Sequence, residues 1–500
     1  MARCQVSGQH AAAGRSYGQR MTDVSLFYVA GQAVGSDLTA EVFHPFDGSL
    51  AGRHAVPTAE QVEQAVAAAH AVRPEFAATS AAVRAAALLH VSEQLAARAE
   101  EIARLITAEN GKPLMWSRAE VARGVSTFRW AAEEARRFNG ELQRLDTDTS
   151  ATGRAALIRR FPIGPVLGIS PFNFPLNLVA HKVAPALAVG TPIILKPAPA
   201  TPLTALVLGE ILAQTDLPAG SWSILPVGND AAPGLVADPR LPVVSFTGSD
   251  VVGYSIQEAV PRKHVTLELG GNAAAVVCAD WSSEADLEWA ATRIATFSAY
   301  QGGQSCISVQ RAIIDTTVYD QLAPLIVAKA AALATGSPWD ETTVVGPLVD
   351  EKAAIRVQSW VQEALDAGAT LLTGGTREGA SYAPTVLADV PSDAKVCAEE
   401  VFGPVLVLQR VTGVDEAFAA VNDSKFGLQA GVLTHNIQIA FRAHRELEVG
   451  GVVIGDVPSF RADQMPYGGV KASGSGREGI RSAMADYTYE KVLVLTDLAL

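Results

Sequence analysis

The chain of 500 residues is poor in several features that mark special classes of protein. It has four cysteines, Cys4, Cys278, Cys306 and Cys397, whose spacing fits neither a disulfide framework nor a zinc site. We therefore expect a reducing, cytoplasmic setting and no bound metal. No apolar run approaches the roughly 18 residues that a membrane-spanning helix requires, so no membrane association is expected either.

Basic residues are also in the minority, since 39 lysines and arginines stand against 52 acidic residues, for a net charge of −13. This balance argues against non-specific binding to nucleic acid or to anionic lipid. Aromatic residues make up only 6% of the chain and apolar residues 49%, which predicts a large core in two or three domains. Residues 1–22 are polar, lack the apolar stretch of a secretory signal, and are expected to form a disordered N-terminal extension.

The hydrophobic pattern indicates a change of structure along the chain. Apolar residues recur at helical spacing over 58–110, which predicts two amphipathic helices, and a third is expected over about 115–139. Residues 141–162 then have the pattern of a strand, a turn and a second strand, which predicts a β-hairpin.

From residue 164 onwards, short apolar strands alternate with helices, which is the pattern of parallel βαβ units in a doubly wound sheet. The first set of predicted strands is Pro165–Ser170, Thr191–Lys196, Trp222–Leu225, Val243–Phe246 and Val265–Leu269, with helices at Leu178–Val189 and Leu203–Gln214. A second set follows Gly271, with strands near 273–277, 309–315 and 404–410, and the pattern of Tyr487–Leu495 is again that of a strand. The sequence thus predicts an α/β protein with two doubly wound α/β domains.

Two features of the first unit are candidates for binding a nucleotide. The run Ser245–Gly253 follows a strand and opens a helix, so its glycine permits a tight turn and the helix N-terminus offers N–H groups to phosphate. Its spacing is not Gly-x-Gly-x-x-Gly, and an ordinary strand-to-helix turn is the alternative. Lys196 ends another strand at the sheet edge where ligands of such folds bind, and is a candidate for contacting ribose or phosphate. The alternative is a solvated lysine.

In the second unit, Cys306 lies in the run Gly-Gly-Gln-Ser-Cys-Ile-Ser. A lone cysteine is most often a small core residue. Here, however, the glycines suit a tight loop that exposes the sulfur, and the apolar stretch Val309–Ile314 supplies a strand behind the loop. A helix beginning after the loop would lower the thiol pKa and favour the nucleophilic thiolate. Cys306 is therefore a candidate nucleophile.

A thiol that attacks an aldehyde needs a donor for the developing oxyanion and a base that activates water. Asn173, a neutral amide in the run Ser-Pro-Phe-Asn-Phe-Pro, suits the first role, although a structural asparagine in a proline-rich loop is the alternative. Glu268, in the apolar run Thr-Leu-Glu-Leu-Gly-Gly, suits the second because partial burial would raise its pKa towards neutrality. A salt-bridged glutamate at a strand end is the alternative there.

Together these motifs resemble, in type and order, those of the aldehyde dehydrogenase superfamily. The resemblance extends from about residue 25 to the C-terminal strand and rests on Pro171–Pro175, Leu195–Pro197, Phe246–Ser249, Leu267–Gly271, Gly303–Cys306, Glu399–Pro404 and Pro466–Gly474. The runs Pro-Leu-Asn-Leu-Val-Ala-His-Lys and Met-Pro-Tyr-Gly-Gly-Val-Lys are most similar to the branch with lactaldehyde, phosphonoacetaldehyde and non-phosphorylating glyceraldehyde-3-phosphate dehydrogenases.

The resemblance implies an enzyme that oxidises an aldehyde to the carboxylic acid with NAD or NADP. Cys306 would form a thiohemiacetal and then a thioester, Asn173 and the Cys306 N–H would hold the oxyanion, and Glu268 would activate the deacylating water. Lys196 would contact the adenosine ribose, Ser249 the pyrophosphate and Glu400 the nicotinamide ribose. The full set of implied cofactor-binding residues is Ser170, Pro171, Phe172, Lys196, Pro199, Phe246, Gly248, Ser249, Leu269, Glu400 and Phe402.

The resemblance also implies a division of the chain. Residues 23–140 and 163–270 would form the NAD(P)-binding domain, and residues 271–455 the catalytic domain that carries the nucleophile. Residues 141–162 and 480–500 would form a β-hairpin oligomerisation arm, which implies a homodimer or a homotetramer.

Pro199 departs from the pattern of the family, which often has a glutamate three residues after the lysine. That glutamate grips both ribose hydroxyls and disfavours a 2′-phosphate. Because proline has neither an acceptor nor a charge there, we predict that NADP is at least tolerated.

Positions that line the aldehyde tunnel in the family fall here on Arg123, Asn177, His181, Tyr300, Arg461 and Tyr467. An arginine can hold a carboxylate, phosphate, phosphonate or sulfonate with two parallel hydrogen bonds, so we predict a short aldehyde with an anionic group. Two alternatives remain open. In one, the arginines form ion pairs with acids such as Asp456 or Asp463; in the other, the substrate is a neutral small aldehyde such as lactaldehyde.

Two rival functions keep the fold. One is a CoA-acylating dehydrogenase, in which a thiol rather than water releases the acyl group; the presence of Glu268 argues against it. The other is a catalytically silent binding or structural protein, and the intact Cys306, Glu268 and Asn173 argue against that. We expect no nucleic-acid partner, because the sequence has no basic stripe.

Overall fold

The computed structural model describes residues 23–497, so Cys4 and the predicted N-terminal extension lie outside the described residues. Within that range no helix combines the length and hydropathy that crossing a membrane would need. The helices are Ala59–Ala71, Arg73–Ala78, Ala81–Ala97, Ala99–Asn110, Leu114–Arg137, Asn177–Val189, Leu203–Leu212, Ala232–Ala237, Asp250–Ala259, Glu284–Ala299, Thr316–Ala331, Glu351–Asp366, Lys395–Ala398, Gly413–Asn422, Ile437–Glu446 and Ile480–Asp486, with 3-10 turns at Thr149–Ala151 and Tyr300–Gly303.

The expectation of two helices over 58–110 is wrong, because four helices occupy this stretch. Pro74 lies in the first turn of the second helix, where proline favours a helix start. The Ser80 side chain then caps the third helix by accepting a hydrogen bond from the Val83 N–H. Arg98, with φ −106°, separates the third helix from the fourth.

The first sheet has eight strands, and the five in its middle run parallel. In spatial order the strands are Gly474–Ser475, His264–Glu268, Val243–Thr247, Val166–Ile169, Ile193–Lys196, Trp222–Ile224, Phe27–Val29 and Gln32–Val34. The edge strands pair antiparallel. Parallel register aligns Ile169 with Lys196 and Thr247 with Glu268, so these four residues end their strands at one edge of the sheet.

The second sheet has seven strands, of which six run parallel. Their spatial order is Thr370–Thr373, Thr385–Ala388, Val405–Val411, Arg311–Asp315, Ala274–Val277, Gln429–Leu433 and Gly451–Ile454. Alternate residues of the strand Ala274–Val277 are buried in separate clusters: Ala275 and Val277 pack with the helices Glu284–Ala299 and Thr316–Ala331, while Val276 packs on the opposite face. Both faces are therefore covered, as a parallel sheet requires.

A third sheet joins the predicted hairpin to the end of the chain. Arg154–Pro162 pairs antiparallel with Glu141–Arg144 on one side and with Thr488–Thr496 on the other. The helix Ile480–Asp486, which lies within the range assigned to the arm, buries Ile480 and Met484 in the core beside the first sheet. The division into domains stays a prediction.

Three smaller sheets complete the described strands. They consist of Val24–Ser25, Leu50–Ala55 and Thr39–Phe43, of Arg377–Glu378 and Ser381–Tyr382, and of Phe426–Gly427 and Val470–Lys471.

Candidate active site

A cavity of about 1060 Å³ lies where the carboxyl edge of the first sheet faces the loops of the second. Its walls include Cys306, Asn173 and Glu268, which are the three residues predicted to be catalytic. All eleven residues predicted to bind the cofactor also line it. Of the six residues predicted to bind the aldehyde, Arg461 and Tyr467 line the cavity. The sequence-predicted residues from both α/β units therefore meet in one space.

The loop before Cys306 is held in an unusual backbone conformation. Gln301, Gly302 and Gly303 all have φ between 54° and 71°, in the left-handed region. A Cβ on Gly303 would lie 2.1 Å from the carbonyl oxygen of Gly403, so only glycine fits this approach. After the loop the chain enters the strand Arg311–Asp315, as expected, and no helix begins between them.

A helix beginning after the loop would lower the pKa of the Cys306 thiol, as considered in the sequence analysis. The thiol instead lies in an environment without such a helix. The residue is half-buried, and its sulfur faces the cavity. Burial raises the pKa of Cys306 to about 12, and a hydrogen bond with Tyr467 acts in the opposite direction. Stabilisation of the thiolate must therefore come from side chains around the sulfur and not from a helix N-terminus. By contrast, Cys278 is buried in the core of the second unit, as predicted.

Asn173 is fixed against the cysteine loop. Its Nδ2 donates to the carbonyl oxygen of Gln304 over 2.9 Å, and Gln301 donates to the Asn173 carbonyl. The Gln304 side chain is buried and accepts a further bond from the Val349 N–H at 2.8 Å. Because Nδ2 carries two hydrogens, one remains for a ligand in the cavity.

Glu268 is a buried carboxyl group with one satisfied oxygen. Oε1 accepts the Glu478 N–H over 3.2 Å, whereas Oε2 has no partner among residues 23–497. Burial raises the pKa of Glu268 well above its usual value, and the charge of Glu478 raises it further. Glu478 itself accepts from Lys182 and Arg461, each at 3.1 Å, and these cations keep the Glu478 pKa low. Of the two carboxyl groups, Glu268 is therefore the one that binds a proton more readily.

Lys182 and Glu478 were not identified from the sequence. Both are buried, and Glu478 lines the cavity next to Glu268. A signal was nevertheless present: Lys182 is a lone cation in the otherwise uncharged helix Asn177–Val189, and a lysine there is expected to have a buried partner. Nothing local in the sequence indicates that Glu478, almost 300 positions away, is that partner.

The cofactor end of the cavity contains the predicted strand-to-helix turn. Ser249 caps the helix Asp250–Ala259 by accepting from the Val252 N–H at 3.5 Å. Glu400 accepts the Gly271 N–H at 3.1 Å, and burial raises the Glu400 pKa to about 7. A Cβ on Gly270 would lie 2.2 Å from a Glu400 oxygen, so the glycine makes room for this carboxyl group.

Lys196 lies at the far end of the same cavity. Its Nζ donates to Asn229 Oδ1 over 3.0 Å. Burial lowers the Lys196 pKa to about 8, and the charge of Asp230 partly opposes this. Ala198 and Pro199, which follow in the cavity wall, carry no charge or acceptor in their side chains. Neither residue therefore places a carboxylate next to the lysine.

Three of the four remaining predicted substrate residues form a cluster around Asp463. Arg123 Nη2 donates to its Oδ1 at 3.0 Å, His181 Nε2 lies 3.4 Å away and Asn177 Nδ2 3.5 Å away. Burial lowers the His181 pKa to about 4, so that ring is neutral at pH 7. Arg123 thus forms the ion pair with Asp463 that was considered as an alternative to substrate binding. Tyr300 lies apart from Asp463, with its ring edge-on to Trp116 at 4.6 Å.

Arg461 differs from Arg123 in its surroundings. Its Nη2 donates to Glu478, and its guanidinium lies 4.0 Å from the centre of the Tyr467 ring. Within the described range, Arg461 Nε is buried and has no acceptor. Asp456, the other partner considered from the sequence, is bound by Arg293 at 2.7 Å. Arg461 thus presents a donor without an acceptor at the wall of the cavity.

Comparison with known proteins matches residues 33–493 to the model of the aldehyde dehydrogenase family. The chain belongs to this family. The oxidoreductase class and the fold predicted from the sequence are thereby confirmed. The site residues are not tested by this match and stay predictions.

Several relatives of this aldehyde dehydrogenase have known activities or structures. A 3-sulfolactaldehyde dehydrogenase from Priestia aryabhattai is 40% identical over 471 residues, which are 94% of this chain and 97% of the relative. Aldehyde dehydrogenase 21 from Physcomitrella patens, solved with its reaction product succinate, is 42% identical with a TM-score of 0.92 and covers 95% and 98% of the two chains. An NADP-dependent glyceraldehyde-3-phosphate dehydrogenase from Bacillus halodurans, solved with NADP, is 33% identical with a TM-score of 0.91 and covers 95% and 100%.

Proposed function

We propose that this aldehyde dehydrogenase oxidises a short, anionic aldehyde to the carboxylic acid, with NAD or NADP as hydride acceptor and Cys306 as nucleophile. The observation that carries the proposal is the cavity into which Cys306, Asn173 and Glu268 all project. Acyl transfer through a thiol needs these three kinds of group, a nucleophile, an oxyanion donor and a base, within one enclosed space.

In the proposed reaction, the thiolate of Cys306 adds to the aldehyde carbon, and the carbonyl electrons move to oxygen. The free N–H of the Asn173 amide and the Cys306 backbone N–H stabilise this oxyanion. A nicotinamide cofactor held by the residues of the cofactor end would supply the hydride acceptor, and loss of hydride from the same carbon would leave a thioester. Glu268 then takes a proton from water as the water attacks the thioester, and the acid departs while the thiolate is restored.

The raised pKa of Glu268 has a consequence for this last step. Burial, and to a smaller extent the Glu478 charge, favours the protonated carboxyl group, which must lose its proton before it acts as a base. Once ionised, a group with a raised pKa is a stronger base than an ordinary carboxylate. We therefore expect hydrolysis to accelerate as the pH rises.

The residues of the cofactor end fit a dinucleotide. The helix that begins after Ser249 has ten residues, and its N-terminus lines the cavity, where a helix N-terminus suits a phosphate group. Ser170 Oγ lines the cavity and is buried without a partner among residues 23–497, which suits a polar ligand. Pro199 in place of an acidic residue leaves space and no repulsion for a 2′-phosphate, and the NADP-bound relative supports acceptance of NADP.

The charge balance of the aldehyde end favours an anionic substrate. Three cations, Lys182, Arg123 and Arg461, pair with two carboxylates, Glu478 and Asp463, while burial favours the neutral form of the nearby Glu268 carboxyl group. When Glu268 is in that neutral form, the cations outnumber the anions by one, which favours an anionic ligand. The Arg461 Nε–H, which has no acceptor among residues 23–497, is the donor best placed to bind the anionic group of such a ligand.

The relatives support the same class of substrate. The Priestia enzyme is named for 3-sulfolactaldehyde, which carries a sulfonate, and the Bacillus enzyme for a phosphorylated aldehyde. The product of the Physcomitrella enzyme, succinate, carries a second carboxylate besides the one formed by oxidation. All three substrates or products bear an anionic group beyond the reacting carbon.

The test is a screen of the purified enzyme with both cofactors. We expect kcat/KM for 3-sulfolactaldehyde, succinic semialdehyde or glyceraldehyde-3-phosphate to exceed that for lactaldehyde by at least about tenfold, the equivalent of one charge-assisted hydrogen bond. Equal values would favour the neutral-aldehyde alternative. Turnover that requires CoA would favour the acylating one, and a large preference for NAD would contradict the acceptance of NADP.

We also propose that the third sheet is an oligomerisation arm. Four large apolar side chains on its strands are between 50% and 63% exposed: Leu142, Val492, Leu493 and Val494. Exposed apolar side chains on strands are expected to be covered by another copy of the chain. Light scattering should give the mass of a homodimer or a homotetramer, and a monomer would contradict the assignment.

A further inference from the structure

The Cys306 thiol has a hydroxyl neighbour for which the mechanism above has no use. Tyr467 Oη lies 3.0 Å from Cys306 Sγ, within hydrogen-bond distance. The ring of Tyr467 is only 5% exposed and packs against Ile307 and Leu428. The hydroxyl therefore cannot turn to solvent without disturbing that packing, and the sulfur is its partner in the described structure.

The backbone of Tyr467 is held equally firmly. Its N–H donates to the Glu478 carbonyl over 2.9 Å, and its carbonyl accepts the Glu478 N–H over 2.7 Å. The same Glu478 N–H is within 3.2 Å of the Glu268 carboxyl group. One short bridge thus fixes Tyr467 relative to both the sulfur and the candidate base.

Arg461 completes the arrangement. Its guanidinium stacks on the ring face of Tyr467 at 4.0 Å, a favourable contact between a cation and the ring quadrupole. The contact limits rotation of the ring, and a positive charge on the ring face makes the phenol a stronger donor. Among the influences on the Cys306 pKa, burial is the largest and raises it, while the Tyr467 hydrogen bond and the Arg461 charge lower it.

We propose that Tyr467 is a further catalytic residue, whose hydroxyl donates to Cys306 Sγ and holds the thiolate in this enclosed site. Arg461 acts as a positioning residue for the ring. The proposal rests on Cys306 being the nucleophile, as proposed above. The proton of the phenol stays on oxygen throughout, and the hydrogen bond weakens as the sulfur passes its charge to the aldehyde oxygen.

A lower thiol pKa gives a net gain in rate in such a site. Below the pKa, each unit of decrease raises the thiolate fraction about tenfold, whereas the intrinsic nucleophilicity of sulfur falls only about threefold. Each unit by which the thiol pKa falls therefore raises the reaction rate about threefold. A donor to a charged partner typically changes the pKa by about one to two units.

The experiment is alkylation of Cys306 by iodoacetamide in Tyr467→Phe, without aldehyde or cofactor, followed by mass spectrometry of the Cys306 peptide. The variant keeps the ring and loses one oxygen. We expect alkylation at pH 7 to be at least about threefold slower than in the wild type, with kcat/KM for aldehyde reduced in the same direction. Tyr382→Phe, which removes a buried hydroxyl from the core of the second unit, is the control and should leave both rates unchanged.

Alkylation at the wild-type rate, or faster, would overturn the proposal, because the hydroxyl would then be only an acceptor of the thiol proton. This outcome is separable from a failure of the proposed function. If Cys306→Ala retains aldehyde oxidation, Cys306 is not the nucleophile, whatever Tyr467→Phe does. If Cys306→Ala is inactive and Tyr467→Phe alkylates normally, only the role of Tyr467 is wrong.

Discussion

Glu478 donates its backbone N–H to the carboxyl group of Glu268 over 3.2 Å, so the two buried glutamates are direct neighbours. Lys182 and Arg461 both pair with the side chain of Glu478 and with no oxygen of Glu268. The negative charge accordingly resides on Glu478, and its presence raises the pKa of Glu268. Burial is the larger cause of the raised Glu268 pKa, and Glu478, a residue that need not touch the substrate, adds to it.

We predict that Glu478→Gln shifts the pH dependence of hydrolysis to lower pH. The variant removes an anion beside Glu268 and leaves two cations facing it, so the Glu268 pKa falls and the base ionises earlier. The measurement is kcat between pH 5 and 10, where the rising limb should move down by about one unit or more. Glu446→Gln, which changes an exposed partner of Arg442, is the control. An unmoved limb would show that Glu478 does not govern the base.

Cofactor use should also depend on pH. Burial lowers the Lys196 pKa to about 8, so its positive charge is present below that pH and lost above it. If Lys196 contacts the 2′-phosphate, kcat/KM for NADP falls as the pH rises through about 8, while kcat/KM for NAD falls less. The ratio of the two, measured from pH 6 to 10 in one buffer series, checks this. A ratio that stays constant would mean that Lys196 does not distinguish the cofactors.

The two arginines should contribute unequally to substrate choice. Arg123 is bound to Asp463, whereas Arg461 keeps an unpartnered Nε at the cavity wall. Arg461→Met should lower kcat/KM for an anionic aldehyde at least about tenfold more than for lactaldehyde. The same comparison for Arg123→Met should give a smaller ratio. Equal losses on both aldehydes in both variants would remove the anionic-substrate hypothesis.

A buried ion pair positions the Asn173 segment. Lys112 and Glu120 are paired and fully buried, and Glu120 Oε1 accepts the N–H groups of Leu176 at 2.9 Å and Asn177 at 3.1 Å. Lys112→Met leaves the Glu120 charge uncompensated and should cost about 3–5 kcal/mol of unfolding free energy. The control is Lys329→Met, from an exposed pair with Glu288, for which chemical denaturation should show a loss below about 1 kcal/mol. Similar losses in both variants would contradict this role of the buried pair.

Much of the fold could be predicted from the sequence because its signals are local. The strand that ends in Lys196 is a short apolar run, and the structure places it within two residues of the prediction at Ile193–Lys196. The helix start at Pro74 and the cap at Ser80 are also local signals, but the helical spacing of apolar residues continues across both, so periodicity alone does not separate the four helices.

The site was predictable to the extent that single motifs mark it. Cys306, Asn173 and Glu268 each stand in a recognisable run, and all three project into one cavity. The pairing of Arg123 with Asp463 and the contact of Tyr467 with Cys306 join residues 340 and 161 positions apart. Contacts of this kind depend on how the two sheets are placed relative to each other, which the pattern of a single sequence does not specify.

The most direct test of the account is to trap the acyl group on the enzyme. Glu268→Gln keeps the size of the side chain and removes the base, so the thioester should form but not hydrolyse. Mixed with an anionic aldehyde and NADP, this variant should release about one reduced cofactor per active site. Mass spectrometry should then find the acyl mass on the peptide that contains Cys306. Full turnover by Glu268→Gln, or an acyl group on any other residue, would contradict the account.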